Sequence, residues 1–326
     1  MQGRGFGTAR KNRVPVRFTL KDLPARIKER TPRGSKAWKE ASIHLGLILI
    51  SAVSLLVLLA VFVFLLVNSL PAFENIGVGN LLFGTVWNPA SLVQPFYGIM
   101  PMFVATLLVS LVASLIAVPI GLGCTIYLAE IASPRVRKVF KPAVEVLAGI
   151  PSVVYGFFAL VVLSQVLAGI FDPVIKLNML NGSVILAVMM VPIMVSISED
   201  AINAVPRYLR EASYALGLTR WETVRGVVLP AATSGIVAAI VLSIGRAVGE
   251  TMTVLMAIGS STALTFDIFR SSQTMTATIA IDWGESVPGS LHYQALFAIG
   301  VVLFVMTFII NLVADYITHR MSEVYR

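Results

Sequence analysis

IHLGLILISAVSLLVLLAVFVFLLV, residues 43–67, holds one ionisable side chain, His44, in an otherwise apolar run. A bilayer core about 30 Å thick is crossed by roughly 20 apolar helical residues. This stretch therefore predicts a membrane-spanning helix. It is longer than the apolar part of a secretory signal, and the 42 residues before it exceed an ordinary signal's basic region. An uncleaved first helix is expected.

Moving outward, five further stretches qualify as spans, at about 99–128, 143–168, 180–199, 230–258 and 294–318. Pro151 and Pro192 interrupt the third and fourth, which membrane helices tolerate when neighbours satisfy the freed carbonyls. The whole composition agrees: 57% of the 326 residues are hydrophobic and 13% charged, against about 25% charged in soluble domains. Little chain remains for an aqueous enzyme domain. A disulfide scaffold is excluded because Cys124 is the only cysteine, and it reads as a small buried helix residue.

The net charge of +8 is uneven. Residues 1–42 carry 12 Lys and Arg against Asp22, Glu29 and Glu40, giving +9, and the remainder sums to −1. Basic and non-basic connections then alternate. The 129–142 connection has Arg135, Arg137, Lys138 and Lys141, and the 200–229 connection has Arg207, Arg210, Arg220 and Arg225. The 68–98 connection has none, 169–179 has Lys176, and 259–293 has Arg270 against Asp267, Asp282 and Glu285. The positive-inside rule then places both termini in the cytoplasm. Residues 1–42 read as a basic cytoplasmic tail with affinity for membrane lipid, in preference to a nucleic-acid contact. Residues 43–326 read as the membrane domain.

The cytoplasmic segment VPRYLREASYALGLTRWETVRGVVLP, residues 205–230, predicts two short helices. Pro206 suits a helix start. Leu209, Ala212, Ser213 and Leu216 form one apolar or small-residue stripe. Gly217 suits a left-handed helix end, and Thr219 with Glu222 has capping-box spacing. By itself the pattern fits either an amphipathic connector lying on lipid or a docking site, with Ala212 and Ser213 leaving room for another protein's surface.

In the fifth stretch, Arg246 and Glu250 are four residues apart, which places them on one face of a continuous helix. Intramembrane charges are costly and usually face a bundle interior or a pathway. One reading is a buried ion pair that fixes packing, beside the G-x-x-x-G spacing of Gly245 and Gly249. The other is an anion pathway, in which the arginine fork matches an oxyanion and Glu250 keeps binding weak enough for release.

The 205–230 segment resembles the EAA loop of bacterial ATP-binding-cassette importer permeases, through Glu211-Ala212-Ser213, Gly217, Val227 and Leu229-Pro230. Ser213 stands where that pattern has Ala and Val227 where it has Ile. GRAVGETM (Gly245–Met252), AGIPSVVYGFFAL (Ala148–Leu160) and SLIAVPIGLGCTIYLAE (Ser114–Glu130) resemble the C-type permease subunit of the phosphate importers. The resemblance covers about residues 45–326 and leaves the tail unexplained. It implies an all-α polytopic permease in the bacterial inner membrane, with six transmembrane helices and a cytoplasmic coupling-helix loop.

The implied partners are a paralogous A-type permease, an ATPase dimer and an extracytoplasmic phosphate-binding protein, with phosphate as substrate. Glu211, Ala212 and Gly217 are implied ATPase-coupling positions, and Arg246 and Glu250 the substrate pathway. No cofactor is expected in this chain: it lacks a P-loop motif, so ATP and Mg belong to the ATPase. Transport, not enzymatic chemistry, is implied. The alternatives are the same machine for molybdate, sulfate or phosphonate, or a proton-coupled carrier using Glu250.

Among the remaining polar groups, Glu145 and Asp315 read as interfacial. Glu199-Asp200 is open to capping, to pairing with Arg207, or to ATPase contact. His44, His292 and His319 lack metal spacing. Trp87, Tyr97 and Trp283 in the long outer connections fit either a binding-protein contact or interfacial packing.

Overall fold

The computed structural model describes residues 35–323 apart from residue 92. Most of the basic tail, residues 1–34, lies outside the described residues, as does Arg326. The chain divides into two units, residues 1–60 and 61–326. In the first, the described residues are helical from Ser35 onward and the large apolar side chains from Ile43 to Leu59 are exposed.

Among the described residues, six helices are long and apolar enough to cross a membrane. Helix α1 (Ser35–Ile76) contains the first of these spans. A short α2 (Val78–Phe83) and a two-residue antiparallel pair, β1 (Trp87–Asn88) with β2 (Phe96–Tyr97), lead into α3 (Met100–Ile131). Next come α4 (Pro134–Ala148), α5 (Ser152–Phe171), α6 (Met179–Asn203) and α7 (Arg207–Ala215). The series closes with α8 (Arg220–Val248), α9 (Met252–Ala257), α10 (Met275–Asp282) and α11 (Leu291–Glu323). Of these, α3, α5, α6, α8 and α11 supply the other five spans.

Helix α6 is the hub of the second unit. It packs most extensively on α3 and α8, and 61% of its most apolar window is buried. Association inside a bilayer relies on close packing rather than on exclusion of water. The sequence provides for it with Ala105, Val109, Ala113 and Ala117, a small-residue row on α3 that is completely buried. Asn178 opens α6, its side chain accepting from the Asn181 N–H at 2.9 Å. Asn181 in turn donates to the Ala257 carbonyl at 2.9 Å and the Ala159 carbonyl at 3.3 Å. One fully buried amide thus ties α6 to α5 and α9.

Three sequence expectations are corrected. The third span begins at Ser152, not near residue 143, because Gly149-Ile150-Pro151 breaks the helix. Pro151 is extended (ψ 138°) and has no N–H for the preceding turn. Residues 134–148 instead form the separate amphipathic α4, capped by Ser133. The fifth span ends at Val248, not near 258, because the chain turns at Gly249, Glu250 and Thr251 before α9. Cys124 is exposed rather than buried.

At the end of the unit away from α7, the connections that precede α3 and α11 pack on each other. Trp87 is 4% exposed, and its indole N–H donates to Asp282 Oδ2 at 2.8 Å. His292 Nε2 lies 3.2 Å from the same oxygen. Trp87 is therefore a core residue and not a contact for a separate protein, while Trp283 remains half-exposed at 49%. Beside Trp87, burial raises the pKa of the Tyr97 phenol, which stays protonated.

Candidate functional site: a braced surface loop and an unpaired intramembrane arginine

The 205–230 segment folds as its sequence directs. Pro206 caps α7. Gly217 closes it at φ +84°, a conformation that favours glycine. The Gly217 N–H donates to the Tyr214 carbonyl and the Leu218 N–H to the Ser213 carbonyl. Thr219 and Glu222 form the expected capping box, with the Thr219 N–H donating to Glu222 Oε2 at 2.7 Å. The predicted stripe, however, divides. Leu209 is half-buried and Ser213 buried, its hydroxyl 2.6 Å from that of Thr223. Ala212 is exposed, and Leu216 is 83% exposed. Ser213 therefore joins α7 to the start of α8, which runs on into the fifth span instead of forming a separate short helix, and offers no room to a partner.

Two ion-pair groups brace this end. Arg210 Nη2 meets Glu130 Oε1 at 2.8 Å, with the two side chains 18% and 9% exposed. The same guanidinium donates to the carbonyls of Ile202 and Val205 at 2.9 and 2.6 Å. Arg220 donates to the Glu130 carbonyl. The second group centres on Glu199, 2% exposed, which takes Arg137 at 3.0 Å and Lys141 at 3.4 Å. Its cationic partners are thus on α4, Asn203 of α6 donates to it at 3.4 Å, and the Arg207 pairing is not formed. α7 is thereby fixed to the ends of α3 and α6. What it leaves outward is Glu211, together with Tyr208, Tyr214, Leu216 and Trp221. Aromatic side chains of this kind anchor protein interfaces. A cleft of about 520 Å³ opens between Glu130, Asn203, Arg207, Arg210, Glu211 and Tyr214.

Arg246 lies in the last turn of α8, about 26 Å along the helix from Leu229 at 1.5 Å per residue. With Ala247 and Glu250 it lines a closed cleft, without room for a water molecule, against Leu186, Met189 and Met190 of α6. Those three residues are about 10–17 Å from the start of α6, so the guanidinium sits well inside the span. The helix C-terminus favours a cation there by about 0.3–1 kcal/mol. That does not offset the roughly 2.5–3.5 kcal/mol cost of an intramembrane arginine.

The expected Arg246–Glu250 pair is not formed: among the described residues, no ion pair or hydrogen bond engages Arg246. The two residues do not share a helical face, because the helix has ended. Glu250 Oε1 instead accepts from the Thr253 N–H at 3.3 Å, and the Glu250 carbonyl accepts from Thr276 at 2.8 Å. A Cβ on Gly249, at the break, would meet only its own helix, whereas one on Gly245 would meet Asn311 of α11, so of the G-x-x-x-G pair only Gly245 faces another helix. Arg246 is exposed and Glu250 half-buried. A second cleft, about 410 Å³, runs from Arg246 past Gly245, Leu242, Ile193, Thr307 and Asn311. Among the described residues, no cluster of His, Cys, Asp or Glu has metal-binding geometry.

Six candidate spans, a braced surface loop and an unpaired charge beside a broken helix describe a polytopic helical membrane protein. Residues 117–323 match the binding-protein-dependent transport system inner membrane component family, and the chain belongs to that family as a multi-pass inner-membrane protein. It is 38% identical over 280 residues to a probable ABC transporter permease protein of Bacillus subtilis, covering 84% of this chain and 90% of that one. It is 36% identical over 292 residues to a phosphate transport system permease protein of Mesorhizobium japonicum, covering 83% and 88%. Among solved structures, the fold matches a bacterial alginate ABC transporter (TM-score 0.62, 16% identity, 87% of this chain and 97% of that one). It also matches the inward-facing MetNI methionine ABC transporter (TM-score 0.55, 21% identity, 67% and 93%).

Proposed function

We propose that this chain is the C-type permease subunit of an ATP-driven phosphate importer. The observation that carries the reading is Arg246: a permanent cation inside a span, without a protein partner, at one end of an open cleft of about 410 Å³. Unpaired, it is available to an oxyanion. The nearby Glu250, held by the Thr253 N–H, supplies a negative field that keeps residence short without blocking the guanidinium. The named phosphate permease relatives support phosphate as the anion.

The remaining parts follow from the same reading. A paralogous A-type permease closes the exposed side of the passage, and an extracytoplasmic phosphate-binding protein delivers the anion. An ATPase dimer docks on α7 through Glu211, Ala212, Gly217 and the surrounding aromatic side chains. The 205–230 loop and both termini are cytoplasmic. Nucleotide-driven closure of the ATPases moves α7, and the Arg210–Glu130 and Glu199–Arg137 contacts carry that motion into α3, α4 and α6 as rigid-body rocking. ATP and Mg bind the ATPase, and no bond is made or broken in this chain.

The test is uptake by the complex in proteoliposomes, with phosphate, sulfate and molybdate compared. ATP-dependent accumulation of phosphate supports the reading. Accumulation of another oxyanion in its place, or uptake that persists without ATP at a fixed membrane potential, overturns it.

A further inference from the structure

The 410 Å³ cleft beyond Arg246 is lined by two polar side chains from α11, Thr307 and Asn311. Asn311 is exposed on a membrane-spanning helix, and among the described residues its side chain takes part in no hydrogen bond. A carboxamide turned toward hydrocarbon in that state is costly, so this face meets water, solute or protein. Its Oδ1 lies 3.8 Å from where a Cβ on Gly245 would sit, which places it over the turn of α8 that carries Arg246.

Thr307 stands one turn away on α11. Its hydroxyl donates to the Leu303 and Phe304 carbonyls at 3.0 and 2.9 Å. Its proton is thus used within the helix, and what it presents to the cleft is oxygen lone pairs. The cleft also has a direction. Leu186, Met189 and Glu250 line the first cleft, whereas Ile193 and Leu242 line this one, nearer the α7 end of the same helices. An anion leaving Arg246 toward α7 therefore passes Thr307 and Asn311.

We propose that Asn311 and Thr307 form, with Arg246, a second anion-contacting station, matched to an oxyanion that still carries a proton. This rests on the reading of the chain as an anion permease. Arg246 supplies donors only, Thr307 acceptors only, and Asn311 both. Hydrogen phosphate or arsenate brings anionic oxygens for the guanidinium and amide N–H groups and an O–H for the Thr307 and Asn311 oxygens. Sulfate or molybdate, fully ionised near neutral pH, brings acceptors alone and faces those lone pairs unpaired. A site that hydrogen-bonds a substrate hydroxyl discriminates strongly against an analogue lacking it.

The test uses the full reconstituted complex with its binding protein and radiolabelled inorganic phosphate. It reads phosphate imported per ATP hydrolysed, normalised to assembled complex. Asn311→Leu is expected to lower that ratio at least tenfold and Thr307→Val about threefold, with the two permeases still co-purifying. A ratio within twofold of wild type in Asn311→Leu overturns the proposal. So does loss of assembly with an unchanged ratio in the surviving complex, which makes Asn311 a packing residue. Either failure leaves phosphate transport by the wild-type complex intact; a wild-type complex that imports sulfate in place of phosphate overturns both readings.

Discussion

Replacing Arg210 by alanine removes the central brace between α7 and the membrane helices. Three acceptors lose their donor at once: the Glu130 carboxylate and the carbonyls of Ile202 and Val205. Breaking a buried ion pair costs about 3–5 kcal/mol. Glu130 is 9% exposed and Arg210 18%, and both border an open cleft, so water rehydrates part of what is lost. A net cost of about 2 kcal/mol follows. At about 1.4 kcal/mol per decade, that is roughly 30-fold faster amide hydrogen exchange across residues 207–216, a local opening rather than global unfolding. Exchange in α6 between Met189 and Val195 should not change.

Arg210→Lys retains the charge but loses the fork that serves the carbonyls, and about half the effect is expected, near fivefold. Because α7 is then loosely held, ATP hydrolysis should continue while phosphate moved per ATP falls. Exchange within twofold of wild type in Arg210→Ala would show that the brace carries no strain between α7 and α3, and the transmission argument fails with it.

Two further perturbations separate backbone, packing and docking effects. At Gly217 a Cβ meets nothing within 4 Å, so Gly217→Ala should cost about 1 kcal/mol from the positive φ alone and leave most uptake. Gly217→Asp adds a charge on the docking face and should abolish uptake with the chain still in the membrane. Retained uptake in Gly217→Asp counts against docking there. At Gly182 a Cβ would lie 2.1 Å from Ile258 Cγ2, a stiff β-branched neighbour, whereas at Gly121 it would lie 1.7 Å from the terminal methyl of Met194. Met194 can swing aside and Ile258 cannot. Gly182→Ala should therefore cost about 1–3 kcal/mol and visibly lower the thermal midpoint, with Gly121→Ala clearly milder. The reverse order would refute the packing assignment.

The spans and the 205–230 loop were legible because their signals are local. Hydropathy over about 20 residues, a capping box and a glycine at a helix end need no knowledge of distant chain. The errors occurred where one local rule met another. Apolar residues flank both Gly149-Ile150-Pro151 and Gly249-Glu250-Thr251, so a hydropathy window of about 20 residues spans each break. The second misreading converted an i, i+4 spacing into an ion pair that the turn abolishes. Contacts between distant segments were not legible at all. Glu130 and Arg210 are 80 residues apart, and Trp87 and Asp282 are 195 apart. Nothing in the sequence around either member of these pairs points to the other. Asn311, one amide in an apolar helix, acquires meaning only from its place opposite Gly245 and Arg246.

The central claim is that the free guanidinium of Arg246 contacts the transported anion, and Arg246→Gln tests it most directly. Glutamine keeps length and hydrogen-bonding capacity but removes the charge. Phosphate uptake at low external phosphate should fall at least tenfold, with assembly and binding-protein-stimulated ATP hydrolysis retained. Normal uptake by Arg246→Gln would contradict the account and remove Arg246 from the pathway.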